Sequence, residues 1–461
     1  MHIEQLYTGC LSEAAYYIES EGEVAIIDPL RETQPYIDKA NGRGATIKYI
    51  FETHFHADFV SGHVDLAQQT GATIVYGPTA KTGYEIHEAT DGEVFQLGKI
   101  NFQVLHTPGH TPESSTFLLK DEAGNNHAIF TGDTLFIGDV GRPDLAIKGD
   151  LTKEDLAGLL YDSLRNKIMP LEDEVLVYPA HGAGSACGKN MSSETFSTLG
   201  AQKESNYALR DISKEQFIKE VTEGILPPPQ YFPKNAMINK SGYESVDVVM
   251  DRGTKALSAV EVQVAAQEGA LILDTRTNDD FRGGFIPGSL FIGLDGSFAS
   301  WVGTLIQDLK RPIAIVANEG QQEEAVMRLA RVGYDHAIGY LKGGVAAWKE
   351  AGFELDTLTS ISAESLKKQL DSVQVLDVRK CSEYDAGHVT DAINYPLDFI
   401  NNEKRELDEH TPYYLHCKSG YRSVIAASIL KSRGFKNVVD VTGGFEAIEK
   451  VGIPIQENSV I

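Results

Sequence analysis

Residues 271–348 are rewritten, with changes, as residues 375–448. Leu271-Ile272-Leu273-Asp274-Thr275-Arg276 corresponds to Val375-Leu376-Asp377-Val378-Arg379, and Phe281-Arg282-Gly283-Gly284 to Tyr384-Asp385-Ala386-Gly387. Val332-Gly333-Tyr334 corresponds to Arg433-Gly434-Phe435. The Gly343-Gly344 pair before Trp348 corresponds to the Gly443-Gly444 pair before Ile448. A period of roughly 100 residues is that of a duplicated domain, since solenoid repeats run roughly 20–50 residues. Within each copy, strand-like apolar runs alternate with helical stretches, so each should be a small α/β domain with a parallel sheet. The copies are expected at residues 252–355 and 356–461.

The chain is 461 residues long. At ~150 residues per domain there is room for one more domain ahead of the repeat, and residues 1–225 are expected to form it. That region holds many strand-like runs, a helix expected over 59–70, and another over Leu151–Lys167 with Thr152 as its N-cap and Asp155 closing the cap. Residues 226–251 are expected to be a linker rich in proline and aromatics. Its start, Gly224 to Pro233 with Pro227-Pro228-Pro229, should be extended, and Tyr231 and Phe232 should rest on a surface. No apolar run reaches the ~18 residues of a membrane span, and Met1–Leu11 lacks a signal-peptide pattern. Four cysteines fit a reducing cytoplasm better than a disulfide scaffold. A net charge of −25 disfavours nucleic acid and anionic membranes as partners.

Within residues 1–225, side chains able to bind metal gather just after apolar runs. Ile47–Phe51 reads as a buried strand, and Thr53-His54-Phe55-His56-Ala57-Asp58-Phe59 follows, with a helix start expected near Asp58. Alone, this is equally a polar strand end with an Asp helix cap. His106-Thr107-Pro108-Gly109-His110, Thr131-Gly132-Asp133-Thr134 and Tyr178-Pro179-Ala180-His181-Gly182 then repeat the arrangement. Imidazole and carboxylate brought to one sheet edge suit a first-row transition metal.

This ordered set resembles the metallo-β-lactamase fold, an αββα sandwich with metal held between two sheets. Hydrolases of that fold, such as glyoxalase II-like thioesterases, usually carry a sixth-position His and bind two metals. Here Phe59 stands at that position, which makes a two-zinc hydrolase the weaker alternative. The persulfide dioxygenase branch binds one Fe(II). The resemblance implies His54, His110 and Asp133 as its ligands, with His56, Asp58 and His181 orienting them. Gly138 to Asp144 resembles a stretch of the same branch, which implies that Arg142 binds a carboxylate of the thiol substrate; a structural Arg–carboxylate pair is an equal reading. Cys187 lies in the Gly-rich loop after His181, where it is either a buried inert thiol or a sulfur-handling one. Cys10 and Cys381 are expected to be structural, and His63, His87, His106 and His127 structural or solvated.

In the second copy, Tyr413–His416 reads as a strand, Cys417-Lys418-Ser419-Gly420-Tyr421-Arg422-Ser423 as a loop, and Val424–Ser432 as a helix. A cysteine there meets backbone N–H groups and the positive end of a helix, and Lys418 and Arg422 add charge, all favouring a thiolate nucleophile. The alternative is a buried cysteine in a βα turn. The loop resembles the rhodanese active-site loop, which implies a persulfide on Cys417 cradled by Gly420 and Ser423. In the first copy Ala317 and Gln322 replace Cys417 and Arg422, so that copy is expected to be catalytically silent.

Taken whole, the chain resembles fusions of a persulfide dioxygenase with rhodanese domains. The resemblance implies oxidation of a low-molecular-weight thiol persulfide by O2 to sulfite, with transfer of sulfane sulfur through Cys417 and thiosulfate as a product. A sulfur carrier without oxygenase activity is a further alternative. The linker and the silent copy are compatible with a homo-oligomer.

Overall fold

The computed structural model describes residues 1–146, 151–402 and 406–457. They form two compact units: Met1–Val246 with Ala330–Gly333, and Asp247–Leu329 with Tyr334–Ile461. Among the described residues, no helix is long and apolar enough to cross a membrane.

The first unit contains two six-stranded sheets. One runs in spatial order His2–Thr8, Glu13–Ser20, Glu23–Ile27, Thr46–Glu52, Thr73–Tyr76, His87–Glu88. The other runs Ser197–Thr198, Leu176–Pro179, Asn126–Gly132, Ser115–Lys120, Ile100–His106, Val94–Leu97. Strand alternation sorts the side chains into layers. Tyr16 and Ile18 join Phe51, Phe102, Phe117 and Phe130 in one buried cluster that receives side chains from both sheets. Tyr17 and Ala15, on the opposite face of the same strand, pack with Tyr36, Ala40 and Leu66 of helices Gln34–Gly42 and His63–Thr70. Ile129 and Val177 pack outward with Leu160 and Phe217 of helices Lys153–Ser163 and Lys214–Thr222. The result is the αββα sandwich expected.

Local details follow the chemistry with two exceptions. The hairpin over Glu13–Ile27 forms, and Thr152 and Asp155 make the reciprocal cap expected of them. The first exception is the chain after Asp58, which stays irregular until the helix starts at His63 behind Gly62. Asp58 caps nothing because its carboxylate is engaged elsewhere. The second is the proline-rich stretch, where 225–229 lacks regular structure but Phe232–Ser241 and Val246–Gly253 are helices. Pro233 sits in the first turn, where its missing N–H costs nothing. Tyr231 and Phe232 are buried, as expected.

The second unit holds two five-stranded parallel sheets of identical order. In the first copy the order is Ala256–Leu257, Ala337–Leu341, Ile313–Val316, Leu271–Asp274, Leu290–Phe291. In the second it is Thr359–Ser362, Val438–Thr442, Tyr413–His416, Gln374–Asp377, Ile393–Asn394. The shared Asp-x-Arg motif has one structural cause in both. Arg276 grips Asp274 at 2.6 Å and the Gly284 carbonyl at 2.8 Å. Arg379 does the same with Asp377 at 2.6 Å and the Gly387 carbonyl at 2.6 Å.

Candidate metal centre and cysteine loop

Strands Thr46–Glu52, Ile100–His106, Asn126–Gly132 and Leu176–Pro179 each run straight into a loop bearing a buried His or Asp. Those loops bring His54, His110 and Asp133 together, with one donor atom from each within 4.8 Å of the others. Asp133 Oδ2 lies 3.4 Å from His110 Nε2 and 3.8 Å from His54 Nε2. Gly141 closes over this group, and a Cβ there would stand 2.1 Å from the Asp133 carbonyl oxygen and 2.9 Å from His110 Nδ1.

The surrounding bonds fix which ring nitrogen carries the proton. His110 Nδ1 must donate, because its partner at 2.8 Å is the Arg142 carbonyl. Thr53 Oγ1 donates to Asp28 Oδ2 at 2.8 Å and so accepts from His54 Nδ1 at 2.9 Å. Both Nε2 atoms therefore point lone pairs at one carboxylate oxygen. Burial holds both imidazoles neutral, pushing His54 well down and His110 down. Burial alone would raise Asp133, but the charged His181 beside it holds it well below the carboxylate range. Two imidazole lone pairs and an anionic oxygen at these separations repel one another, and a divalent cation bound by all three relieves the repulsion. The donor set thus fits a metal ion.

Around it, His181 is the supporting group of greatest consequence. Its Nδ1 is 2.7 Å from Asp133 Oδ1, and its Nε2 is 2.8 Å from Asp58 Oδ2. Burial opposes its charge, yet the two carboxylates push it well up, so it bridges them as an imidazolium. His56 turns away to Asp28 Oδ1 at 3.1 Å and Glu52 Oε2 at 3.7 Å. Sequence reasoning passed over Asp28 and Glu52, although each is an acid at a strand end. His63 takes the structural of its two readings. It is buried, bonded to Tyr84 at 2.6 Å, and burial drives it down to about 3.

Of the two readings of Arg142, the structural Arg–carboxylate pair is the one observed. Arg142 is not free to bind a substrate carboxylate, because Asp144 takes its guanidinium at 2.6 and 2.8 Å and the Ala186 and Leu226 carbonyls take the rest. Its contribution is the backbone carbonyl that orients His110. Phe59 does not leave its neighbourhood without donors, because Asp58, His181 and buried Cys187 also converge within 4.8 Å. Burial, Asp58 and Asp133 push the Cys187 thiol well up.

At the cysteine loop, Gly420 adopts φ 109° and caps helix Tyr421–Ser432. This left-handed turn directs its N–H to Cys417 Sγ at 3.1 Å. Ser423 Oγ lies 3.8 Å from the same sulfur. Cys417 is buried, whereas Lys418 is exposed. The thiol thus lies beneath the loop, buried as the alternative reading has it. Arg422 is not an unpaired cation, since Glu383 holds it by a two-point bond at 2.6 and 2.8 Å. In the other copy Gly320 makes the same positive-φ turn at 84°, but the residues around it are Ala317 and Gln322.

The first copy also touches the second copy's loop. Asn278 donates to the Gly420 carbonyl at 3.2 Å, and Tyr421 donates to the Gly293 carbonyl at 2.7 Å. Arg282 holds Asp440 at 2.7 and 3.1 Å. A cavity of about 310 Å³ lies here, lined by Asn278, Asp279, Asp295, Ser419 and Tyr421 among others.

The model of the metallo-beta-lactamase superfamily matches residues 8–181, and that of the rhodanese-like domain matches 258–351 and 362–450. The mitochondrial persulfide dioxygenase of Homo sapiens is 31% identical over 210 residues, covering 45% of this chain and 74% of that protein. The hydroxyacylglutathione hydrolase of Haemophilus influenzae is 28% identical over 200 residues, covering 39% and 89%. A crystal structure of a metallo-beta-lactamase from Staphylococcus aureus superposes with a TM-score of 0.65 at 32% identity, covering 74% of this chain and 98% of that one. The chain belongs to the metallo-β-lactamase superfamily, counts persulfide dioxygenases among its homologues, and continues into two C-terminal rhodanese-like domains.

Proposed function

We propose that the first unit oxidises a low-molecular-weight thiol persulfide at a single Fe(II) held by His54, His110 and Asp133. The observation that carries this is the convergence of two tautomer-fixed imidazoles on one buried carboxylate oxygen, a 2-His-1-carboxylate set of the kind non-haem Fe(II) oxygenases use. Bound there, the metal would supply activation of O2. The protein's own groups do the rest. Arg142 and Thr53 keep both Nε2 atoms unprotonated, and His181 keeps a proton between Asp133 and Asp58. Phe59 and Phe136, with ring centres 6.5 and 6.3 Å from that of His181, keep water from it. The balanced reaction takes RSSH, O2 and H2O to RSH, sulfite and two protons, so the sulfane sulfur loses four electrons and O2 gains them.

The last domain then passes sulfane sulfur through Cys417. The Cys417 thiolate attacks the outer sulfur of a second RSSH and releases RS−; sulfite then attacks the outer sulfur of the Cys417 persulfide, the S–S bond breaks, and thiosulfate leaves with Cys417 returned as thiolate. The Gly420 N–H stabilises that sulfur's negative charge. The first rhodanese-like copy has no nucleophile and serves the second structurally. Anaerobic loading with Fe(II), followed by persulfide-dependent O2 uptake, tests the reading; bound iron without uptake would refute it.

A second reading is a two-metal thioester hydrolase. It is favoured by the Asp58, His181 and Cys187 cluster beside the first site and by the likeness to a hydroxyacylglutathione hydrolase. Metal analysis separates the two, as one iron per chain supports the oxygenase and two zincs the hydrolase.

A further inference from the structure

Residues 56–61 cross the floor of the metal site with no regular secondary structure. Their buried peptide groups need partners from outside the segment. One side chain supplies three of them. Asn239, on helix Phe232–Ser241, is itself fully buried. Its Nδ2 donates to the His56 carbonyl at 2.8 Å and to the Phe59 carbonyl at 2.8 Å, and its Oδ1 accepts from the Ser61 N–H at 2.9 Å. Tyr84 fixes the clamp from behind, donating to the Asn239 carbonyl at 2.6 Å. Asn239 lies beyond residue 181, where the superfamily match ends.

The two carbonyls it holds flank Asp58. Asp58 Oδ2 meets His181 Nε2 at 2.8 Å, and His181 Nδ1 meets Asp133 Oδ1 at 2.7 Å. A chain of contacts therefore runs from Asn239 through the loop backbone to Asp58, on to His181 by an ion pair, and on to Asp133 by a hydrogen bond. We propose that Asn239 is a positioning residue for the metal centre, fixing Asp58 and through it the orientation of His181 and Asp133. This rests on the iron reading above for its consequence, though not for its geometry.

The test uses the full chain with Asn239→Leu, which removes all three bonds, and Asn239→Asp, which keeps the acceptor for Ser61 and loses both donors. Val221→Ala, a core truncation on helix Lys214–Thr222, serves as a control for lost stability. Apparent Fe(II) affinity, by chelator competition, should fall roughly 10–100-fold in Asn239→Leu, the range seen when groups supporting a ligand are removed. Asn239→Asp should lie between it and wild type, and Val221→Ala should match wild type. The electron paramagnetic resonance signal of the ferrous–nitrosyl adduct should broaden in the Asn239 variants alone. Wild-type affinity and an unchanged signal in Asn239→Asp would overturn the proposal, even if Asn239→Leu fails to fold. If the wild-type protein takes up no iron, the iron reading fails and the clamp is judged separately. Amide exchange at Ser61 in the metal-free protein should then quicken in Asn239→Leu, which loses the acceptor, and stay near wild type in Asn239→Asp, which keeps it; unchanged exchange in Asn239→Leu would overturn the clamp.

Discussion

Arg282 of the first rhodanese-like copy grips Asp440 of the second, whose strand pairs with the one that leads to Cys417. Asp440 is fully buried and Arg282 keeps 13% of its side chain exposed. Removing one partner of a buried pair costs about 3–5 kcal/mol, but the partial exposure of Arg282 admits solvent, so Arg282→Ala should cost about 2–3 kcal/mol. Asp440→Asn should cost only about 1 kcal/mol, because Arg282 retains Asp279 and no anion is stranded. The double variant should resemble Asp440→Asn, which sets the coupling between the two at about 2 kcal/mol. Both tryptophans, Trp301 and Trp348, lie in the first copy, so urea unfolding followed by their fluorescence reads the second unit. The pH response has a definite sign. Burial pushes the Asp440 carboxyl up and Arg282 pulls it back. Without Arg282 the folded-state value rises further, so the folded protein binds a proton more tightly than the unfolded chain. The deficit of Arg282→Ala should therefore be full near neutral pH and shrink as the pH falls toward 5. A coupling below about 0.5 kcal/mol, or a deficit constant between those pH values, would refute the reasoning.

Cys417→Ala should abolish transfer of sulfane sulfur to sulfite while leaving persulfide-dependent O2 uptake intact; loss of both would mean that the metal site is not an oxygenase. Asp133→Asn keeps the shape of a ligand and removes its charge, so the variant should retain no iron after gel filtration, as measured by elemental analysis. Saturating Fe(II) at 100 times its dissociation constant stabilises the folded state by about 2.7 kcal/mol. At roughly 2–4 °C per kcal/mol, this should raise the wild-type Tm by about 5–10 °C, a shift Asp133→Asn should lack.

The parts of both sites carried by chain periodicity were legible beforehand. His54, His110, Asp133 and His181 follow apolar runs, and strands of two sheets, one before His54 and three before the others, deliver them to one place. Cys417 and Gly420 follow a strand in the same way, and the duplicated Asp-x-Arg motif marked both α/β copies. What escaped was the direction in which a side chain points. His54 and His56 have equal claims by spacing. Asp28 separates them by accepting from Thr53 and by facing His56, a pairing that spans 25 residues. Arg142 and Arg422 advertise charge but not where it goes, and Asp144 and Glu383 had taken it. Asn239 was hidden for a different reason, as an amide is no metal ligand and its helix lay inside an expected linker. Pro233 was the overlooked signal, because proline in a first turn marks a helix start as readily as an extended stretch. The residues most readily misread were thus arginines with an acid within reach. Such an acid neutralises the cation locally at less entropic cost than any ligand, so the cation becomes part of the scaffold that aims a neighbour. Arg142 aims His110 through its backbone, and Arg282 braces the strand beside the one that leads to Cys417.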